Sequence, residues 1–140
     1  MRYPVNLIET ENNQYIVKLL DIPEALTQGD TKEEALEMAL DALLTAFEFY
    51  FEDNERIPEP SKAPGDYVEV PVSVEAKILM LNTFVDSRLS RVELSKKLGV
   101  KKQEITRLFD LRHSTKIDTV AQAIKAMGSR LSLKLIPNDI

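Results

Sequence analysis

The chain has 140 residues, of which 44% are hydrophobic and 29% charged, a composition typical of a soluble globular protein with one ordinary domain or two small ones. It contains no cysteine, which excludes disulfides and thiolate metal sites, and its single histidine, His113, has no second histidine as a metal ligand. No apolar run is long enough for a membrane span or a signal peptide, so we expect a cytoplasmic protein without a membrane partner.

The net charge of −5 is distributed unevenly along the chain. Residues 1–55 contain 13 acidic and 3 basic side chains, a net charge of −10, whereas residues 56–140 have a net charge of +5. This asymmetry indicates two surfaces with different partners. The alternative is that the acidic residues only solvate an N-terminal domain.

The first fifty residues have the pattern of a small β-β-β-α unit. Residues 2–8 and 15–20 alternate apolar with polar side chains on either side of a turn, which predicts a hairpin, and residues 25–28 predict a short third strand. Thr31 and Glu34 have the spacing of a capping box at the start of a helix. Apolar residues, many of them alanine, then recur at helical spacing to Phe51, which predicts a helix packed closely on the sheet.

Residues 56–66 contain three prolines and one glycine, a composition typical of a stiff linker. The next segment, 67–70, predicts a strand, and its pattern leaves open whether this strand joins the N-terminal sheet. Ser73 is then expected to cap a helix over residues 74–89 that has Ala76, Leu79, Met80 and Phe84 on its inner face. We therefore predict two domains, residues 1–70 and 71–140.

Residues 91–110 have the pattern of a helix-turn-helix. A second capping box, Ser90 to Glu93, begins a helix with Leu94 and Leu98 on its inner face, and Gly99 follows where the chain must turn with a positive φ. A second, short helix has Ile105 and Leu108 inside. Its outer face is polar and basic, as expected of a helix that enters the major groove of DNA.

Any two amphipathic helices joined by glycine would share this spacing, but the local charge favours DNA. Residues 88–116 contain nine basic and three acidic side chains, a net charge of +6 within an acidic chain, which is typical of a phosphate-binding surface. The residues that we expect to bind DNA lie on the second helix or beside the motif: Lys101, Lys102, Gln103, Thr106, Arg107, Arg91, Ser114 and Lys116.

The C-terminal residues predict a last helix and a strand. Thr115, three residues before Asp118, is the expected cap of a helix that has Ile117, Val120, Ala121 and Ile124 inside and ends at Gly128. Residues 131–136 alternate apolar with polar side chains, a strand pattern without a local partner. Pairing with the same strand of a second copy would give a homodimer, or a homotetramer of two such dimers.

Two passages of the chain together resemble the HicB family of antitoxins, in its helix-turn-helix branch. They are DIPEALTQGDTKEEAL, residues 21–36, and KQEITRLFDLRHSTKIDTVAQAIKAMG, residues 102–128, and the resemblance covers nearly the whole chain. It implies an α+β protein with a partial RNase H-like N-terminal domain, β-β-β-α(-β), that has lost catalysis. It also implies a HicA-type toxin partner, which is a small basic protein that cleaves mRNA with a histidine, and repression of the protein's own operon through operator DNA.

The charge of the N-terminal half agrees with a basic, RNA-binding toxin as partner, because acidic residues can mimic phosphate. The acids expected to contact the toxin lie in the turn before the third strand and after the long helix: Asp21, Glu24, Glu52, Asp53 and Glu55. Solvated acids would show the same pattern. The strand region supplies only Glu9 and Glu11, both at its turn, and His113 lacks a nucleophilic partner, so we predict no enzyme, metal or cofactor.

Two further functions remain open from the sequence. A one-component regulator with a small-ligand-sensing N-terminal domain would need an apolar cleft with a few convergent polar groups. A phage-like repressor would need the helix-turn-helix but no toxin. The sequence gives no operator and does not say which N-terminal face contacts a toxin.

Overall fold

A four-stranded antiparallel sheet and one long helix form the N-terminal half of the computed structural model, which describes residues 1–138. The strands lie in the order β3-β2-β1-β4, with these bounds: β1 (Arg2–Glu9), β2 (Tyr15–Leu19), β3 (Leu26–Gly29) and β4 (Tyr67–Glu69). All four predicted strands of this half are confirmed. The sequence left open whether residues 67–70 join this sheet, and they do, because β4 pairs with β1 and sets Val68 opposite Tyr3.

The helix α1 (Lys32–Glu52) covers one face of this sheet. Thr31 caps it as predicted, since its hydroxyl accepts a hydrogen bond from the Glu34 N–H at 3.1 Å. The return contact from the Glu34 side chain, also predicted, is not formed among the described residues. β3 and α1 approach so closely that a Cβ at Gly29 would lie 2.5 Å from the Ala35 nitrogen, which explains a glycine at the end of this strand.

Residues 53–66 have no regular secondary structure, yet they are fixed to both halves of the protein. Ile57 is fully buried, and its N–H and carbonyl are bonded by the side-chain amide of Asn82, at 2.8 and 3.0 Å. The Tyr3 hydroxyl donates to the Pro58 carbonyl at 2.8 Å. The segment predicted as a linker is therefore packed against the sheet and against the helix that follows it. The division into two domains remains a prediction.

The second helix, α2 (Val72–Ser87), begins earlier than predicted, and the capping role expected of Ser73 is wrong. Pro71 is the N-cap residue, without a side-chain cap, and Ser73 lies in the first turn. Proline is tolerated at a helix start because it has no N–H that would be left unpaired there. Leu79, expected inside, is 36% exposed, whereas Ile78 and Leu81 are fully buried.

Three shorter helices complete the C-terminal half: α3 (Arg91–Leu98), α4 (Lys102–Leu108) and α5 (Ile117–Ala126). The two helices and the glycine turn predicted for residues 91–110 are confirmed, because Ser90 and Glu93 form the full capping box and Gly99 has a φ of 67°. Their role as a DNA-binding helix-turn-helix stays a prediction. The cap expected from Thr115 is wrong. Lys116 is the N-cap residue of α5, no side chain caps this helix, and the Thr115 hydroxyl is buried without a hydrogen-bond partner.

Two expectations about the C-terminal end also differ from the structure. Ile117 is 41% exposed, and Ala123 is buried beside Val120 and Ile124 on the inner face of α5. The strand predicted for residues 131–136 does not form within one chain. Leu131 is partly buried against the core, whereas Leu133, Leu135 and Ile136 are exposed, as expected if their partner is another molecule.

Candidate nucleic-acid interface and acidic surface

The outer face of α4 carries residue types that form hydrogen bonds with nucleic acid in DNA-binding proteins. Ile105 and Leu108 bury the inner side of this short helix, each 3% exposed. On the other side, all of the predicted DNA-binding residues of the helix and its cap are exposed: Lys101, Lys102, Gln103, Thr106 and Arg107. The Thr106 hydroxyl donates to the Lys102 carbonyl at 3.1 Å, and the other four side chains have no partner among residues 1–138. They are therefore free to bind a ligand.

A tight turn fixes the angle between α3 and α4. The N–H of Gly99 donates to the Lys96 carbonyl at 3.2 Å, and the N–H of Val100 donates to the Ser95 carbonyl at 3.1 Å. This is the left-handed glycine end of a helix, which satisfies two of its last carbonyls. Leu94 is fully buried beneath the turn. The pair of helices is thus held as a rigid unit with the polar face of α4 outward.

Arg91, predicted to bind DNA, is instead engaged within the protein. Its guanidinium donates to the Phe51 carbonyl at 2.9 Å and to the Asn54 side-chain oxygen at 3.0 Å, and it lies 4.5 Å from the centre of the Phe109 ring. Burial lowers its pKa from the ordinary arginine value. The first residue of α3 therefore binds the C-terminal end of α1, and it joins the helix-turn-helix to the N-terminal half.

Arg112, which contributed to the local charge of the sequence, is engaged in the same way. It forms a short ion pair with Glu48 on α1, and its guanidinium also reaches the Thr45 hydroxyl at 3.4 Å. The hydrogen bond to Glu48 raises the pKa of Arg112. We call the contacts of Arg91 and Arg112 with α1 the junction. Both guanidinium groups are therefore bound to acceptors of the N-terminal half.

Ser114 and Lys116 lie exposed in the loop between α4 and α5, beside His113. Sequence reasoning missed the residue that holds this loop, Lys77 on α2, which is only 3% exposed. Its ammonium group donates to the carbonyls of Arg107, Asp110 and His113. The available signal was a lysine in the middle of the apolar run VEAKILML.

The five predicted toxin-binding acids divide into two groups. Asp21 accepts hydrogen bonds from the backbone N–H and hydroxyl of Ser61, and Glu24 accepts from the Tyr50 hydroxyl at 2.7 Å. Partial burial and this bond raise the pKa of Tyr50 to about 12. The other acids follow the end of α1, where they are exposed and have no side-chain partner within the described residues: Glu52, Asp53 and Glu55.

A cavity of about 510 Å³ lies where α1 meets the helix-turn-helix. Its charged lining residues are Glu48, Glu52, Arg91 and Asp110, and its apolar ones are Phe51, Phe109 and Leu111. This lining is not the mainly apolar wall expected of a small-ligand site. Within residues 1–138, no cluster of acidic and histidine side chains could hold a metal ion, and no helix is long and apolar enough to cross a membrane.

Comparison with known proteins identifies the family of the chain. Residues 2–79 match a family model described as a HicB-like antitoxin of a bacterial toxin-antitoxin system. The chain is 64% identical over 135 residues to Antitoxin HicB 1 of Photorhabdus laumondii, covering 96% of this chain and 87% of that protein. It is 55% identical to Antitoxin HicB of Escherichia coli K12, with 97% and 100% covered, and 37% identical to Antitoxin HicB of Pseudomonas fluorescens, with 82% and 81% covered.

These similarities cover both halves of the structure, since the relatives extend well beyond the 2–79 match and include the helix-turn-helix. They agree with the α+β architecture and with the resemblance seen in the sequence. The chain therefore belongs to the HicB-like family and is an antitoxin of a bacterial toxin-antitoxin system.

Proposed function

We propose that this antitoxin neutralises a HicA-type toxin through its N-terminal half and represses its own operon through its helix-turn-helix, in the cytoplasm. The observation that carries the proposal is the outer face of α4, where four polar or basic side chains are exposed without an intramolecular partner. A short helix of this kind, with its inner face buried and its angle fixed by a glycine turn, fits the major groove of DNA.

The residues of α4 divide into two roles in this proposal. Gln103 and Thr106 reach base edges, where a glutamine pairs best with adenine. Lys101, Lys102 and Arg107 bind phosphate oxygens or guanine. Ser114 and Lys116, exposed in the next loop, bind the sugar-phosphate backbone, whereas Arg91 supports the motif from inside.

Operator binding in this proposal requires two copies of the chain. Residues 131–136 form no strand alone, and their apolar side chains Leu133, Leu135 and Ile136 are exposed. Pairing of this segment with its counterpart in a second copy would bury these side chains and satisfy the backbone groups. A twofold dimer places two recognition helices about 34 Å apart, one turn of DNA, on a palindromic operator.

Toxin binding is assigned to the acidic surface of the N-terminal half. The exposed acids at the end of α1, Glu52, Asp53 and Glu55, are available to a basic partner. Asp21 and Glu24 are already hydrogen-bonded, and they complete this surface with their remaining lone pairs. Opposite net charges would speed the association of the two proteins by electrostatic steering.

One pair of matched variants tests both halves of the proposal. Gln103→Ala with Arg107→Ala is expected to abolish preference for the operon's own promoter while leaving toxin co-purification intact. Glu52→Lys with Glu55→Lys is expected to weaken toxin binding and leave the promoter complex intact. Lys62→Ala, an exposed change outside both surfaces, is the control. A wild-type chain that binds neither the adjacent gene product nor its own promoter would refute the proposal.

A further inference from the structure

The helix α2 contains a charge where an apolar residue would be expected. Among residues 1–138, Lys77 and Asn82 are the buried residues with a polar side chain, and Lys77 is the charged one. Its neighbours on the helix, Ala76, Ile78 and Met80, belong to the core. Burial of an ammonium group is costly unless all of its protons find acceptors, and burial indeed lowers the pKa of Lys77.

The three protons of this ammonium group match three carbonyl oxygens. Lys77 donates to Arg107 at 3.2 Å, to Asp110 at 2.7 Å and to His113 at 2.8 Å. Arg107 lies in the last turn of α4, and the other two residues follow that helix. The last carbonyls of a helix have no partner within the helix and carry its negative dipole end, so a buried cation is well placed there.

Other contacts also hold the segment after α4, because the centre of the Phe109 ring lies 4.8 Å from that of Phe84 on α2. Leu111 is buried, and Arg112 is bound to Glu48 on its outer side. On the inner side, the loop surrounds a cavity of about 180 Å³ that Lys77 also lines. The Thr115 hydroxyl in this loop is buried without a partner. Beside this ring contact, the ammonium group of Lys77 joins the carbonyls of the loop to α2.

The geometry assigns Lys77 a positioning role in DNA recognition, an inference that rests on the proposed function. Lys77 does not touch DNA. It fixes the backbone of Arg107, whose side chain is on the outer face of α4, and of His113, which precedes Ser114 and Lys116. One ammonium group thus ties the C-terminal end of α4 and the phosphate-binding loop to α2 together. Discrimination between the operator and other DNA depends on the position of α4 relative to this loop.

The test replaces Lys77 by methionine, which has a similar length but no charge and no donor. Binding of the full-length chain to its operator and to a scrambled duplex of equal length is measured by fluorescence anisotropy, beside its affinity for the toxin. We expect operator affinity to fall about tenfold, the effect of losing one good base contact, with little change for the scrambled duplex or the toxin. Lys125→Met on α5, an exposed lysine without a partner within residues 1–138, is the matched control.

The ratio of operator affinity to scrambled-duplex affinity tests the positioning role of Lys77. An unchanged ratio of operator to scrambled affinity would overturn the positioning role, as would a parallel loss of both DNA affinities and toxin affinity, which marks a merely structural residue. A wild-type chain that does not distinguish the two duplexes would refute DNA recognition itself. Should the methionine variant fail to fold, Lys77→Gln keeps a polar donor that reaches fewer carbonyls. It is expected to lower the ratio by a smaller factor, and a ratio equal to that of wild type would overturn the proposal.

Discussion

The outer face of α4 and the junction are both basic, but their cations are used differently. On α4, the side chain of Arg107 is exposed and has no partner among the described residues. At the junction, Arg91 and Arg112 bind the carbonyl of Phe51 and the carboxylate of Glu48. The sequence counts all three as equal contributions to a charge of +6. A local excess of positive charge in the sequence therefore identifies a region of the chain. The contacts of each cation in the folded protein decide which face of that region can bind phosphate.

The junction also explains how the two halves of an antitoxin can remain in a fixed relation. Arg91 binds the last turn of α1, where free carbonyls and the negative end of the helix dipole favour a cation. On the opposite side, Asn82 binds Ile57 in the segment that connects the halves. A toxin bound at the end of α1 would therefore lie close to the start of the helix-turn-helix.

The largest effect is expected from the C-terminal segment. In the proposed dimer, pairing of this segment determines whether one or two α4 helices bind the operator. Leu133→Asp places a charge at the centre of the proposed intermolecular strand, where burial would be costly. We expect a monomer whose operator affinity is lower by about 100-fold, because the second half-site no longer benefits from a high effective concentration. Sedimentation and anisotropy on the full-length chain measure both quantities.

The junction supplies the control for this prediction. The junction contacts lie within one chain, so Leu133→Asp should leave them intact. We therefore expect the free energy of unfolding of Leu133→Asp to match that of wild type when both are measured at a concentration where wild type is monomeric. A Leu133→Asp protein that remains a dimer with unchanged operator affinity would show that the helices form the interface.

Arg91→Ala is expected to have the second largest effect, and on stability. It removes three charge-assisted hydrogen bonds, two of them to Asn54, and the contact with Phe109, so we expect a loss of about 2 kcal/mol in the free energy of unfolding. Arg107→Ala, an exposed change, should stay within about 0.5 kcal/mol. Urea denaturation measures both values.

The salt dependence of DNA binding distinguishes the expected roles of Arg107 and Arg91. Arg107→Ala should reduce the slope of log affinity against log salt by about one if this side chain contacts phosphate. Arg91→Ala, measured where it is folded, should keep the wild-type slope. The reverse pattern, a reduced slope and full stability for Arg91→Ala, would mean that Arg91 leaves the junction to bind DNA.

A structural feature could be predicted from the sequence when its interacting residues lie close together along the chain. The strands, α1 and the helix-turn-helix were predictable because their signals are local, such as the Ser90–Glu93 capping box and the glycine turn. The same local rules failed at Ser73 because Pro71 already begins the helix. Lys77 and Asn82 could not be predicted, since their partners lie about 25 to 36 residues away and only the folded chain brings them together.

The candidate sites follow the same division. The outer face of α4 was correctly predicted to be exposed, because helical periodicity alone decides which side faces inward. The engagement of Arg91 was not predictable, since it requires knowing that the end of α1 lies beside α3. Asp21 and Glu24 were selected for their charge, and the sequence could not show that Ser61 and Tyr50 already bind them.

A smaller effect is expected from Gln103→Ala on the outer face of α4. Its side chain has no intramolecular contact within the described residues, so stability should not change. Loss of a bidentate base contact should lower operator affinity about tenfold and leave the affinity for scrambled DNA almost unchanged. Anisotropy with single base-pair replacements in the operator would locate the contact. An equal loss on every sequence would reassign Gln103 to the DNA backbone.

The smallest effect concerns the acidic side of α1, where Tyr50 donates to Glu24. At neutral pH, Tyr50→Phe should lower the free energy of unfolding by about 1 kcal/mol through loss of this bond. The pKa of Tyr50 is raised to about 12 in the folded protein, above the ordinary value of 10.0, so folding retains a proton that the unfolded chain releases first. The stabilisation by Tyr50 is therefore fully present below pH 10 and is lost as the pH rises from 10 to 12.

A double-mutant cycle with Glu24→Gln isolates this contribution, because groups outside the pair titrate alike in all four proteins. The stability difference between wild type and Tyr50→Phe should shrink above pH 10, and it should shrink less when Glu24 is already neutral, since the bond to the carboxylate is one cause of the raised pKa. A difference that stays constant from pH 9 to pH 11.5 would show that Glu24 does not hold the tyrosine proton in solution. Glu24 would then join Glu52 and Glu55 as a freely exposed acid, fully available to the toxin.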